Sequence, residues 1–245
     1  KDGRLRLIGL QDDYSSFVVG LLDLFEADFN NRWLESAAHI NQTMVKRFWD
    51  EQNGGFFYTE AGESDLIVRT KSIFDNAVPS RNSMAVFGLL RLAILTGKGE
   101  LYEKAERNLH VFGKLMSESP TGCSNMISAF DMLRESLTEI VIMGEGVEKA
   151  NMLRTIYHSF LPNKVLVTED ATADCGLHIP LLEGKTANGL QVAAFVCRNQ
   201  ACSAPISSAA ELEKLLSQLD PEELKELGLD AAARPFPSVP HGDLA

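Results

Sequence analysis

Cations are scarce in this chain and never cluster: 23 Lys and Arg stand against 34 Asp and Glu, for a net charge of -11. Binding to a phosphate backbone depends on grouped Lys and Arg that release counterions, so nucleic acid is excluded as a partner. Long apolar runs are missing too. The stretch Phe87 to Leu95 is broken by Gly88 and Arg91 and falls short of the ~20 residues that cross a bilayer, so no membrane partner is expected. Four cysteines, Cys123, Cys175, Cys197 and Cys202, are too few and too scattered for a disulfide-stapled secreted scaffold, which favours a reducing, cytoplasmic setting. The histidines His39, His110, His158, His178 and His241 lack a second His or Glu at metal-ligand spacing, so neither a metal nor a cofactor is expected. The opening Lys1-Asp2-Gly3-Arg4 has no methionine and no export segment. That suggests a start inside a longer protein, leaves targeting unreadable and keeps secretion open.

What is present is amphipathic helix. Phe17, Val18, Leu21, Leu22, Phe25 and Phe29 recur at the spacing of one helical face, with Asp12 or Asp13 placed to cap it. After Asn30-Asn31, the series Trp33, Ala37, Ile40, Met44, Phe48 and Trp49 predicts an antiparallel partner. Phe56-Phe57-Tyr58 and Leu66-Ile67-Val68 around Ala61-Gly62-Glu63 then read as a short β-hairpin insertion. Ser80 is placed to cap a helix over 81–96, and Leu101, Ala105, Leu109, Phe112 and Met116 mark its partner.

The pattern repeats. Gly20-Leu21-Leu22-Asp23-Leu24 recurs as Gly88-Leu89-Leu90-Arg91-Leu92, and Ala37 as Ala105, each offset by 68 positions (88 − 20 and 105 − 37). A helix over Met126 to Leu133 starts a third hairpin whose second arm never comes. Helical repeats need about three copies to bury their faces, so further sequence or another chain is expected to cover the remainder. From Thr138 the period changes: Ile140 to Met143, a helix over Val147 to Phe160, and Lys164 to Val167 predict a βαβ unit. Leu190 to Val196 adds a strand, and Ser208-Ala209-Ala210-Glu211 opens a further helix. Three regions follow: a partial ring of hairpins over 1–136, a small α/β module over 137–219, and a short helix with a disordered tail over 220–245.

Gln11-Asp12-Asp13-Tyr14, Trp49-Asp50 with Gly54-Gly55-Phe56-Phe57, the run Asp75 to Ser83, and Phe160 to Lys164 together resemble the carboxy-terminal portion of the spermatogenesis-associated protein 20/YyaL family. Cys197-Arg198-Asn199-Gln200-Ala201-Cys202-Ser203-Ala204-Pro205 matches a Cys-x-Asn-x-x-Cys-x-x-Pro element near that family's end, and the likeness runs from about Arg6 to Leu216. The resemblance implies a thioredoxin-like domain followed by an (α/α)6 toroid of the six-hairpin glycosidase and sugar-epimerase type. No Cys-x-x-Cys occurs here, so the thioredoxin activity does not carry over, and the absent amino-terminal region is expected to complete the toroid.

Asp12, Asp13 and Asp75 are the candidate catalytic residues, as cavity carboxylates able to serve as acid and base on a sugar; helix capping and turn chemistry are the competing explanations. Tyr14, Arg69, Asn76 and Trp49 are binding candidates, the last as a stacking platform that could equally be core. Cys197 and Cys202 could form a local disulfide or a redox pair, or be buried structural thiols. Three functions follow from these readings: a carbohydrate-related or protein-binding scaffold, a sugar hydrolase or epimerase, and a redox module.

Overall fold

The computed structural model describes residues 9–62, 68–135, 137–172, 176–198 and 201–219, which are mainly helical and carry one small sheet. Helix α1 (Gln11–Asp28) pairs with α2 (Asn31–Phe48), and α3 (Arg81–Thr96) with α4 (Gly99–Glu118); α5 (Ser124–Arg134) follows. Strand β1 (Thr138–Gly144), helix α6 (Val147–His158) and strand β2 (Lys164–Thr168) form the expected βαβ unit, with β1 and β2 parallel. Strands β3 (Val192–Arg198) and β4 (Ala201–Cys202) and helix α7 (Ala209–Ser217) complete the described elements, in the sheet order β2-β1-β3-β4. The expected tail over 220–245 lies outside the described residues.

Helices α1 and α3 lie side by side and parallel. At one end the Gln11 side chain donates to the Arg81 carbonyl at 3.2 Å, and near the other Arg91 reaches Asp23 and Glu26. α3 is apolar on most sides and buries Val86, Leu89, Leu90 and Leu92 completely, as expected of a helix enclosed by neighbours. α2 and α4 instead carry a single buried stripe, exemplified by Leu34, Ala37 and Met44 and by Leu101, Ala105 and Leu109. The result is two layers, with α1, α3 and α5 in one and α2 and α4 in the other. In the sheet Ile140, Val141 and Ile142 are all fully buried, so both faces of the central strand are covered, as a parallel crossover requires. Side chains from helices and sheet join one apolar core.

Two expectations need revision. α1 begins at Gln11 with Leu10 at its cap, so Asp12 and Asp13 stand in the first turn; Asp13 Oδ2 reaches back to accept the Leu10 amide at 2.8 Å. The β-hairpin insertion forms no strand among the described residues, and Leu66 and Ile67 lie outside them. Its arms show one isolated bridge, Trp49 to Phe56, and one hydrogen bond from the Tyr58 amide to the Thr70 carbonyl at 2.8 Å. A side chain takes the place of the ladder, as follows.

Candidate functional site

Asn82, the second residue of α3 and completely buried, replaces a strand partner for that loop. Its Oδ1 accepts the Phe56 amide at 2.8 Å and the Asn108 side chain at 3.2 Å, while its Nδ2 donates to the carbonyls of Phe56 (3.1 Å) and Ser72 (3.0 Å). All four capacities of the carboxamide are used. The loop is thereby drawn across the amino-terminal ends of α1 and α3. The Tyr58 carbonyl accepts the Gln11 amide at 3.1 Å, and the Arg81 guanidinium sits 3.6 Å from the Tyr58 ring centre.

The turn before it is built on Asp50 and two glycines. Oδ1 of Asp50 accepts the amides of Gln52 and Asn53, and Oδ2 accepts the Asn53 side chain and the Lys71 ammonium at 2.7 Å. Burial by itself would raise this carboxyl's pKa; the Lys71 hydrogen bond and the amides outweigh it and hold the group well below the usual carboxylate range. Gly54 and Gly55 both have φ of +76°, and a Cβ on Gly54 would meet Arg107 Cγ at 2.8 Å, so the tight turn requires glycine twice.

The predicted site residues fall around this platform with definite partners. Tyr14 packs on Phe48 with its hydroxyl bonded to Arg47, which in turn pairs with Glu60. Trp49 is nearly buried, edge-on to Phe56 at 5.0 Å, with the Lys104 ammonium 5.2 Å from its ring. Arg69 lies over the Phe57 ring at 3.9 Å and donates to the Thr59 carbonyl. Asp75 stands further along, between α3 and α5: Oδ1 accepts the Ser80 amide at 2.8 Å, and Oδ2 accepts the Asn125 amide at 2.8 Å and the Ser124 hydroxyl at 3.2 Å. The Asn76 amide donates to the Val78 carbonyl in the adjacent turn. Asp12 Oδ1 and Trp49 Nε1 are buried, and neither meets a hydrogen-bond partner among the described residues.

Cys197 and Cys202 are joined in a disulfide across directly opposed positions of β3 and β4, with Cys197 buried and Cys202 exposed. Cys123 is buried and free, and burial raises its thiol pKa; Cys175 lies outside the described residues. Sequence reasoning passed over Asn82, Asn108 and Lys71. Asn82 stands inside the Asp75-to-Ser83 motif, but its reach to a loop 26 positions away has no local periodicity to announce it.

A pair of repeated helical hairpins leading into a small mixed sheet is the class of protein this fold defines. No family model matches the chain. It is 37% identical over 213 residues to spermatogenesis-associated protein 20 of Homo sapiens, covering 85% of this chain and 27% of that protein. The rat and mouse proteins of the same name are 36% and 35% identical over 215 residues, again covering 27% of their lengths. The chain belongs to the spermatogenesis-associated protein 20 family and spans about a quarter of the length of these relatives.

Proposed function

We propose that this chain supplies consecutive staves of a larger (α/α)6 ring of helical hairpins and acts there as a carbohydrate-related or partner-binding scaffold. One comparison of equivalent positions carries the reading. On α3, Ala85, Gly88 and Leu92 are buried, and a Cβ on Gly88 would stand 2.9 Å from Val18 Cγ1 of α1. The equivalent positions on α1 are Phe17, Gly20 and Leu24. Phe17 is 59% exposed and Leu24 47%, and nothing lies within 4 Å of the Cβ position of Gly20. α1 thus presents to solvent the same kind of face that α3 presents to α1, and large exposed apolar residues beside an open glycine favour close approach of another helix. The relatives, about three times as long as this chain, have ample sequence to provide one.

The test is a photo-reactive amino acid at position 17 in a polypeptide of the relatives' full length. Cross-linking to a helical segment that precedes this chain in the sequence is the expected result; an unreacted probe, still open to solvent, rejects the ring. The hydrolase or epimerase alternative, through Asp12, Asp13 and Asp75, draws support from the unpartnered buried oxygen of Asp12. It requires turnover of a defined sugar that Asp12→Asn abolishes.

A further inference from the structure

We propose that the groove between α2 and α4 binds a small carboxylate that carries a neighbouring hydroxyl or amine donor. The cavity measures about 540 Å³ and is floored by Leu92 and Thr96 near the end of α3, with Asn41 on one wall and Lys98, Leu101 and Lys104 on the other. Its size suits a small-molecule site. Asn41 is only 2% exposed, and its carboxamide Oδ1 is fully buried without any donor among the described residues. A buried carbonyl oxygen left unmatched is costly, so it calls for an N–H or O–H from a guest.

Opposite it, the 20-residue helix α4 starts at Lys98 without any side-chain cap. The Leu101 amide turns back to the Lys98 carbonyl at 3.1 Å; the Gly99 and Glu100 amides and the positive end of the dipole favour an anion there. Lys98 and Lys104 line the same groove, and neither forms an ion pair with a carboxylate among the described residues. Glu35 and Glu100 also border the cavity, and Glu35 holds its rim by accepting the Gly176 amide at 2.8 Å. These two carboxylates disfavour a multiply charged anion such as a phosphate ester and leave room for a single negative charge. The site is made by α2, α3 and α4 together with the 176–177 rim, so it stands apart from the ring reading.

The experiment uses the full 245-residue chain and four probes in thermal-shift and saturation-transfer measurements: D-gluconate, L-serine, acetate and glycerol. D-gluconate or L-serine raises Tm in a concentration-dependent way, and whichever does so identifies the hydroxyl or the amine source; acetate alone and glycerol alone bind more weakly. Asn41→Leu lowers the affinity at least about tenfold, the loss expected when a hydrogen bond to a buried group is removed, while leaving the Tm of the free chain equal or higher. Should that variant fail to fold, the surface double variant Lys98→Gln/Lys104→Gln carries the test and is expected to lose binding likewise. Absence of any shift, equal binding of acetate and the two bifunctional probes, or undiminished binding by the variants overturns the proposal.

Discussion

Asp23 and Arg91 occupy the same position in two copies of the helical repeat, 68 residues apart, and they bond to each other: Nη1 of Arg91 donates to Oδ1 of Asp23 at 2.6 Å. The second guanidinium nitrogen donates to Glu26 at 2.9 Å, and Lys164 of β2 reaches the other oxygen of Glu26 at 2.5 Å. The two partners of Arg91 are unequal. Asp23 is 66% exposed at its side chain, whereas Glu26 and Arg91 are about nine-tenths buried. Glu26→Ala, which leaves Lys164 without its carboxylate and Arg91 with only the exposed Asp23, is expected to cost about 3–5 kcal/mol, and Asp23→Asn under about 1 kcal/mol. Urea unfolding of both variants checks the ratio, and equal losses would contradict it.

Gly88 and Gly20 make a matched pair with opposite expectations. Gly88→Ala pushes a methyl against Val18 and is expected to destabilise by about 1–3 kcal/mol through overpacking. Gly20→Ala meets nothing and replaces glycine within a helix, so it is expected to stabilise the isolated chain by about 0.5–1 kcal/mol. Thermal denaturation of the two variants decides the matter, and a loss at Gly20 as large as at Gly88 would show its surroundings to be filled.

Replacing Asn82 by Leu keeps the branched shape and removes four hydrogen bonds. Two backbone groups of Phe56, the Ser72 carbonyl and the Asn108 amide then lack that partner. A loss of about 3 kcal/mol is expected, since each orphaned buried group costs about 1–3 kcal/mol and some regain water. Limited proteolysis between α2 and α3 should accelerate in step; unchanged cleavage would mean that the loop is held by other contacts.

Asp50 sets an acid limit. Its folded pKa lies below the unfolded value of about 3.9, so its contribution is fully present above that value and fades as pH falls toward the folded one. Stability measured by urea from pH 6 to pH 2 should therefore decline from about pH 4 downward. Asp50→Asn should flatten that decline while lowering stability at neutral pH by about 1–3 kcal/mol.

The disulfide closes a very short loop, with a sequence separation of 5, and chain entropy alone gives it roughly 2 kcal/mol. Thiol attack is open only at the exposed Cys202 sulfur, and it would expel a Cys197 thiolate into an apolar strand, which disfavours the leaving group. Slow reduction by glutathione is expected, followed by preferential alkylation of Cys202. Mass spectrometry of timed, alkylated samples tests this, and rapid reduction would favour a redox role.

The hairpins and the βαβ unit were legible because Leu21, Leu22 and Phe25, or Ile140 to Ile142, record burial in a short periodic window. The Ser80 cap was legible for the same local reason; its oxygen does accept the Ser83 amide. The segment from Gly55 to Thr70 reads as a hairpin because Phe56-Phe57-Tyr58 has strand composition; its described residues form no strand, and the group that satisfies the Phe56 backbone, Asn82, lies in the following helix. Asp12, Asp13 and Asp75 could be placed near helix starts, but which oxygens are already occupied depends on Leu10, Ser80 and Asn125, two of them partners brought in by tertiary folding or loop closure. Asn41 gave no signal at all, since an amide within an amphipathic stripe looks the same whether it faces a cavity or a neighbour.

The uncovered side of α1 has a directional meaning. Toward α3, α1 offers Val18, Asp23 and Glu26, and α3 meets them with the notch at Gly88 and with Arg91, so the two helices join front to back. An open front-to-back series leaves an unmatched flank at each end until it returns to its own beginning. In the proposed ring the number of staves would follow from the turn taken between neighbours, here the inclination of α3 against α1, so a substitution that altered that inclination would change the circumference before it changed any single helix.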